Sequence, residues 1–449
     1  MNAAARRRFG VGILAIASAG AALAVYLATS GPDPAPSEHT GAFDLGEEGI
    51  AVFAARDDGC LRAVLSDGQV GKVCPDGAGA YVGGSYFSGA GPASIRVTFE
   101  ADTVRVEWDD AFDGTGSRRA DIRTRSSFPG REGTQLLGEL VAPVGDGPFP
   151  LLVHIGGSER SGSVGRVWLP YMLAAQGIAS FVYDKRGVGG SDGEYTQDFQ
   201  VLGADAAAAV TAARAALGKR LDWLGVIGFS QGGWVGPIAA TQVDVDGVLV
   251  GFGLAVSPTD EEISEVRARV IAAGHDVATV DRAAEFAAAS VRVADSDFAD
   301  GLDQLEALKS EAEADGWLSA IGSDGISGAL ASNPVFFVRL LWGFFDADTS
   351  WRFAPADTLR SLNVPQLWLL GGQDRDAPSA QTQHILGELA ASGLDVQLRV
   401  FPTADHGLIE RVGGPDGPAA RYVDGYAQAI AEFVRAKSTA EASSLSAGQ

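Results

Sequence analysis

Leu224-Gly-Val-Ile-Gly-Phe-Ser230-Gln-Gly-Gly-Trp-Val-Gly-Pro-Ile-Ala-Ala240 is the stretch whose reading decides the fold. An apolar run enters, a serine sits between glycines, and an apolar, small-residue segment leaves. That is the pattern of a strand, a strained turn and a helix, with the serine presented at the turn. Gly-x-Ser-x-Gly also occurs at Gly189-Gly-Ser191-Asp-Gly193. With 59 glycines in the chain, about one chance match is expected, so context has to separate the two. Ser191 sits in a polar loop, followed by Asp192-Gly193-Glu194 and no apolar helix start. Ser230 is therefore the candidate nucleophile and Ser191 the chance match.

The turn at Ser230 belongs to a longer alternation. Residues 134–143 and 150–155 read as strands, 167–175 as a helix, 178–183 as a strand and 201–217 as an alanine-rich helix. A strand at 247–254 follows the helix that begins at Gly232. Apolar strands alternating with helices predict a mostly parallel sheet with helices on both faces. The rhythm breaks between about 258 and 350, where an Ala/Glu/Arg-rich helical segment ends in a bulky apolar run; an inserted helical cap is expected there. Its Trp317, Phe336, Phe337, Trp342, Phe344 and Phe345 are candidates either to line an apolar acyl pocket or to pack cap on core. Alternation resumes with a strand at 366–370, a helix at 380–391, a strand at 396–401 and a last helix near 422–436. Residues 118–437 are thus expected to form one domain, and the Ser/Ala-rich residues 438–449 a disordered tail.

The amino-terminal third is different. Short β-like runs at 50–54, 61–65, 94–99 and 103–108 are bounded by Asp58-Gly59, Asp67-Gly68 and Asp76-Gly77, which suit tight turns. Residues 42–117 are expected to form a small β-rich domain without chemistry of its own. Before it, Arg6, Arg7 and Arg8 precede an uncharged stretch at 9–31, so residues 1–31 read as an export signal or a single membrane anchor. A cleaved signal and a retained anchor both fit, and either leaves the bulk of the chain outside the cytoplasm. Residues 32–41, rich in proline, are a stiff spacer.

At 449 residues the chain exceeds one ordinary core. Its hydrophobic content of 46% fits a folded protein, and its net charge of −23 repels phosphate backbones, which excludes nucleic acid as a partner. Contact with a membrane is expected only through the amino-terminal segment. Cys60 and Cys74 are the only cysteines. In an oxidising compartment they could pair, stabilising the fold by about 3 kcal/mol at most; two buried free thiols fit the sequence as well. Neither lies near a histidine cluster, so no metal is expected, and no organic cofactor is implied.

A serine hydroxyl is a weak nucleophile until a base takes its proton. The chain has five histidines. His39 falls in the spacer, His275 in the expected cap, and His384 in mid-helix among polar neighbours. His154 ends a strand and is expected to brace the glycine-rich loop that follows. His406, in Thr403-Ala-Asp-His-Gly407, stands after the last strand, at the carboxyl edge of the sheet where a base is presented. The orienting acid should follow the penultimate strand, which selects Asp374 in Gly371-Gly-Gln-Asp374; Asp376 and Asp405 are alternatives. Two donors must face the developing oxyanion. The amide of Gln231, directly after the serine, is one, and the loop at Gly156 and Gly157 should supply the other.

His154-x-Gly-Gly-Ser158 with Arg160, Tyr183-Asp-Lys-Arg-Gly-Val-Gly-Gly-Ser191, Gly228-Phe-Ser-Gln-Gly-Gly233, Gly371-x-x-Asp374-x-x-x-Pro378 and Asp405-His-Gly407 together resemble the α/β-hydrolases of bacteria, near the dienelactone-hydrolase and prolyl-oligopeptidase/serine-aminopeptidase branches. The resemblance covers roughly residues 118–437. It implies an α/β-hydrolase fold with Ser230, Asp374 and His406 as a triad, acting on an ester first and a peptide second. Within the Tyr183–Gly190 segment, Asp184 and Arg186 are expected to form a structural ion pair. The chain has Ile155 directly after the histidine, where the family often has glycine. The resemblance does not extend to residues 42–117. A reading of a different class is a catalytically silent envelope protein that binds through its β-rich domain.

Overall fold

The computed structural model describes residues 38–85, 93–108, 112–345, 348–377, 379–412 and 419–447. The expected export segment, nearly all of the spacer and Pro378 lie outside these, as do the side chains of Phe344 and Phe345. The described chain divides into two compact units, Glu262–Trp351 and the remainder.

The larger unit begins with eight strands: β1 (Gly41–Asp44), β2 (Ile50–Ala55), β3 (Leu61–Leu65), β4 (Val70–Pro75), β5 (Ala80–Gly84), β6 (Ile95–Glu100), β7 (Thr103–Trp108) and β8 (Phe112–Arg119). Each pairs antiparallel with the next, and β8 returns to β1 to close a barrel. Side chains alternate across each strand, so Leu61, Ala63 and Leu65 fill the interior with Phe43, Phe53 and Trp108. The opposite face of the same strands carries Ala54, Val64 and Val70, which pack on Trp168 and Tyr422 of the neighbouring sheet unit. The barrel is therefore fixed to the rest of this unit by a shared apolar core. Cys60 and Cys74 form a disulfide that ties the start of β3 to β4.

The central sheet follows: β9 (Asp121–Pro129), β10 (Gln135–Pro143), β11 (Phe149–Ile155), β12 (Ala179–Tyr183), β13 (Leu221–Phe229), β14 (Gly247–Gly251), β15 (Gln366–Gly371) and β16 (Val396–Phe401). Their spatial order is β16-β15-β14-β13-β11-β12-β10-β9. Strands β11 to β16 run parallel, and β10 and β9 add antiparallel at one edge. β9 escapes sequence reading because its side chains alternate between exposed and half-buried on an edge, with Arg123 and Arg125 among them.

Helices cover both faces. α1 (Leu169–Ala174) lies on one; α2 (Phe199–Leu217) and α3 (Gly232–Ala240) lie on the other. In β11, Leu151, Val153 and Ile155 meet α2 and α3, while Leu152 faces α1, the period-2 pattern of a strand buried on both sides. The smaller unit holds most of α4 (Pro258–Ala272), α5 (Val277–Asp295), α6 (Leu302–Asp315), α7 (Gly325–Ser332) and α8 (Val335–Phe345). It has its own core, in which Phe286, Leu305 and Ile321 are fully buried. Trp317 is buried in that core and Trp342 meets Phe298 edge-on, whereas Phe336 on α8 is 72% exposed. After it come α9 (Pro355–Ser361), α10 (Ser379–Ala391), a hairpin of β17 (Ile409–Val412) and β18 (Ala419–Tyr422), and α11 (Tyr426–Ala447).

The expected tail differs. α11 continues to Ala447, because nothing from 426 to 447 is Gly or Pro and the Ala, Glu and Leu of this stretch favour helix.

Candidate active site

β13 delivers Ser230 into a backbone conformation that L-residues rarely adopt, φ +51°. The turn is held from both sides: the Ser230 amide donates to the Gly251 carbonyl at 3.1 Å, and the Gly233 amide donates to the Ser230 carbonyl at 2.7 Å. The flanking glycines are steric requirements. A Cβ on Gly228 would stand 1.9 Å from the Gly232 carbonyl oxygen, and one on Gly232 would stand 2.4 Å from that of Ile155. Strand and helix cross too closely there for any side chain.

Asp374 and His406 arrive from the ends of β15 and β16, the two strands beyond β14. The imidazole Nε2 lies 3.1 Å from Ser230 Oγ, and Nδ1 lies 2.9 Å from Asp374 Oδ2. The other carboxylate oxygen of Asp374 accepts the amides of Asp376 at 3.1 Å and Ala377 at 2.7 Å. The carboxylate is thus oriented by backbone donors and almost wholly enclosed, its side chain 2% exposed. Burial alone would lower the His406 pKa; the hydrogen bond and charge of Asp374, aided by Asp376 and Asp405, outweigh it and raise the pKa above the ordinary value of 6.5. Phe252 meets the imidazole edge-on, with centroids 5.1 Å apart.

The alternatives for the acid stand apart from the ring. Asp376 contributes its amide to Asp374, and Asp405 directs its Oδ2 to Arg411 Nε at 3.2 Å, while its buried Oδ1 has no hydrogen-bond partner among the described residues. Burial raises the Asp405 pKa. Among the other histidines, His384 faces Glu388 on an exposed helix surface and His39 stacks on Phe99 at the barrel. Ser191 donates to the Asp184 carbonyl at 2.6 Å and accepts the Leu137 amide at 2.9 Å, a turn-bracing role.

Gln231 opens α3, where the first amides of a helix have no intrahelical acceptor. Gly157 stands opposite: a Cβ there would lie 3.2 Å from Ser230 Cβ. Gly156 and Gly157 also line the cavity, about 490 Å³, that contains Ser230 and His406. The loop carrying them is held in a way the sequence did not disclose. Lys185 Nζ donates to the Gly157 carbonyl, and Tyr195 Oη donates to the Ser158 carbonyl at 2.6 Å. Lys185 is buried; burial lowers its pKa, Glu159 opposing this and Arg160 adding to it.

Two sequence expectations are corrected here. His154 does not brace this loop: its Nε2 lies 3.0 Å from Ser180 Oγ on β12, and burial pushes its pKa down to about 3, so it is a neutral link between adjacent strands. Asp184 and Arg186 do not pair. Asp184 accepts the amides of Ser163, Val164 and Gly190, while Arg186 forms a bidentate pair with the buried Asp205. Both residues lie beyond Tyr183 in the turn that follows β12, where strand periodicity no longer sets side-chain direction, so opposite charges two residues apart do not imply a pair.

The sequence profile of the alpha/beta hydrolase family matches residues 151–424, and the chain belongs to that family. No curated protein matches the sequence. Among solved structures, an esterase of Pyrococcus furiosus is similar at 15% identity over 64% of this chain and 83% of that one, with a TM-score of 0.42. A bacterial brefeldin A esterase is similar at 20% identity over 72% and 78%, TM-score 0.45. An acylaminoacyl peptidase of Pyrococcus horikoshii is similar at 14% identity over 87% of this chain and 59% of that one, TM-score 0.44.

Proposed function

We propose that the protein is a serine hydrolase that cleaves a carboxylic ester through an acyl-enzyme. The observation that carries this reading is the continuous chain from Ser230 Oγ through His406 to Asp374, at 3.1 and 2.9 Å. Ser230 Oγ attacks the acyl carbonyl as His406 Nε2 takes its proton, and Asp374 stabilises the imidazolium. The amides of Gln231 and the Gly156/Gly157 loop receive the oxyanion. The C–O bond to the leaving alcohol breaks as His406 returns the proton to it. Water, deprotonated by the same histidine, then attacks the acyl-enzyme and releases the acid, restoring Ser230. A peptide bond presents the same carbonyl and is the second substrate class for this machinery.

Export is part of the proposal. Arg6, Arg7 and Arg8 before an uncharged stretch support a signal or anchor, and the Cys60–Cys74 disulfide suits an oxidising compartment.

The test is labelling of the folded protein by a broad fluorophosphonate, with Ser230→Ala and Ser191→Ala beside wild type. Loss of labelling in Ser230→Ala alone is expected. Absence of labelling in folded wild type would sink the enzyme reading and favour a binding protein.

A further inference from the structure

The barrel does not stop at supporting the catalytic unit. Arg62, on the outward face of β3, lines the same cavity as Ser230 and His406. A second cavity of about 570 Å³ adjoins it, sharing Arg62, Glu159, Phe229 and Phe252. One side of this groove is the β2–β3 hairpin, with Arg56, Asp57 and Asp58; the other is the loop entering α1. The hairpin is held there from three directions. Asp57 pairs with Arg166 across the groove, Lys72 holds Asp58 at 2.7 Å, and the Cys60–Cys74 disulfide anchors the base. Below, the Tyr422 amide donates to the Gly68 carbonyl at 2.9 Å, which joins the barrel to the hairpin following His406.

We infer that this groove is a substrate subsite: one arm of the acyl compound runs from Ser230 between the barrel and the catalytic unit, and that arm carries a ring and hydrogen-bond-accepting oxygens. The inference rests on the serine hydrolase reading above. The floor favours a ring, because Phe229 and Phe252 stack there at 5.7 Å, both only partly buried. The walls carry both signs of charge, but Asp57 is paired with Arg166 and Asp58 with Arg56 and Lys72, so an acceptor oxygen is favoured at the end where Arg62, whose guanidinium is a donor only, stands beside the nucleophile. A straight alkyl chain laid along the same walls would strip water from charged groups and give them nothing in exchange. An arm of the N-acyl-aminoacyl kind meets both requirements.

The experiment compares kcat/KM for the p-nitrophenyl esters of N-acetylphenylalanine, octanoate and acetate. Wild type should prefer the N-acetylphenylalanyl ester to the octanoate. In Arg62→Ala the ratio of N-acetylphenylalanyl to acetate kcat/KM should fall about tenfold, the scale of one lost charge-assisted hydrogen bond. Ser161→Trp, which places an indole in the groove, should lower the same ratio without removing a charge. Fluorophosphonate labelling and thermal midpoints establish that each variant is folded and its serine reactive. A ratio unmoved in both labelled variants, or a wild-type preference for octanoate, overturns the subsite while leaving the serine hydrolase intact. Failure of the wild type to label overturns both.

Discussion

Lys185 donates its buried ammonium to the carbonyl of Gly157, the residue that stands against Ser230. Holding this carbonyl pins the plane of the Gly157–Ser158 peptide and with it the end of the loop that carries the Gly156 and Gly157 amides, so the lysine supports the donor geometry of the loop without touching substrate. Tyr195 repeats the arrangement one residue on, through the Ser158 carbonyl. A methionine at position 185 keeps the stem and removes the donor. Lys185→Met should lower kcat by about tenfold to a hundredfold with KM nearly unchanged, as expected when an oxyanion donor is displaced by a fraction of an ångström. Steady-state kinetics on a small activated ester checks this; a rise in KM at constant kcat would assign the lysine to ground-state binding instead.

The pH profile follows from the raised His406 pKa. The base must be neutral to accept the Ser230 proton, so kcat/KM should rise with pH through a value above 6.5 and fall off on the acid side. Asp374→Asn removes both the carboxylate hydrogen bond and its charge but leaves the burial, which acts in the opposite direction. The acid limb should therefore move to lower pH, while kcat falls about 10³- to 10⁴-fold through loss of the working tautomer. A limb that stays in place in Asp374→Asn would show that a group other than His406 is titrating.

Asp405→Asn separates the two carboxylates near the ring. Its charge helps to raise the His406 pKa, yet its side chain reaches Arg411 and not the imidazole. The expected outcome is a small downward shift of the acid limb with less than about a tenfold loss in kcat, since orientation of the ring is untouched. A loss as large as that of Asp374→Asn, read from the same pH profiles, would make Asp405 the orienting acid.

The elbow and the positions of Asp374 and His406 could be anticipated because the signal for each residue is local, although the three meet only through folding. Ser230 announces itself through glycines that the strand–helix crossing requires, and Asp374 and His406 follow the last two strands of a regular alternation. The loop's support was not legible, because Lys185, Tyr195 and Gly157 meet through folding and carry no spacing that predicts it. His154 misled for a related reason: a histidine beside a glycine loop reads as its brace, but strand alternation turns the ring toward Ser180 on β12. The barrel was seen as β-rich through its regular turns, while its closure, a long-range pairing of β8 with β1, left no local trace in Phe-Asp-Gly-Thr-Gly-Ser-Arg-Arg. Nor could sequence show that Arg62, 168 residues before Ser230, shares a cavity with it.

The disulfide gives the last prediction. Cys60 precedes the strand that carries Arg62, and Cys74 lies on the adjoining strand, in which Lys72 pairs in register with Arg62. Closing this short loop restricts the unfolded chain, so Cys60→Ser with Cys74→Ser should lower stability by about 3 kcal/mol. Denaturant unfolding of the double variant measures it, and a reductant added to wild type should reproduce the loss while leaving the double variant unmoved. The triad is held by the central sheet and not by the barrel, so Ser230 should still take up a fluorophosphonate below the unfolding transition. If reductant leaves the wild-type midpoint where it was, the two cysteines are not stabilising the barrel in solution.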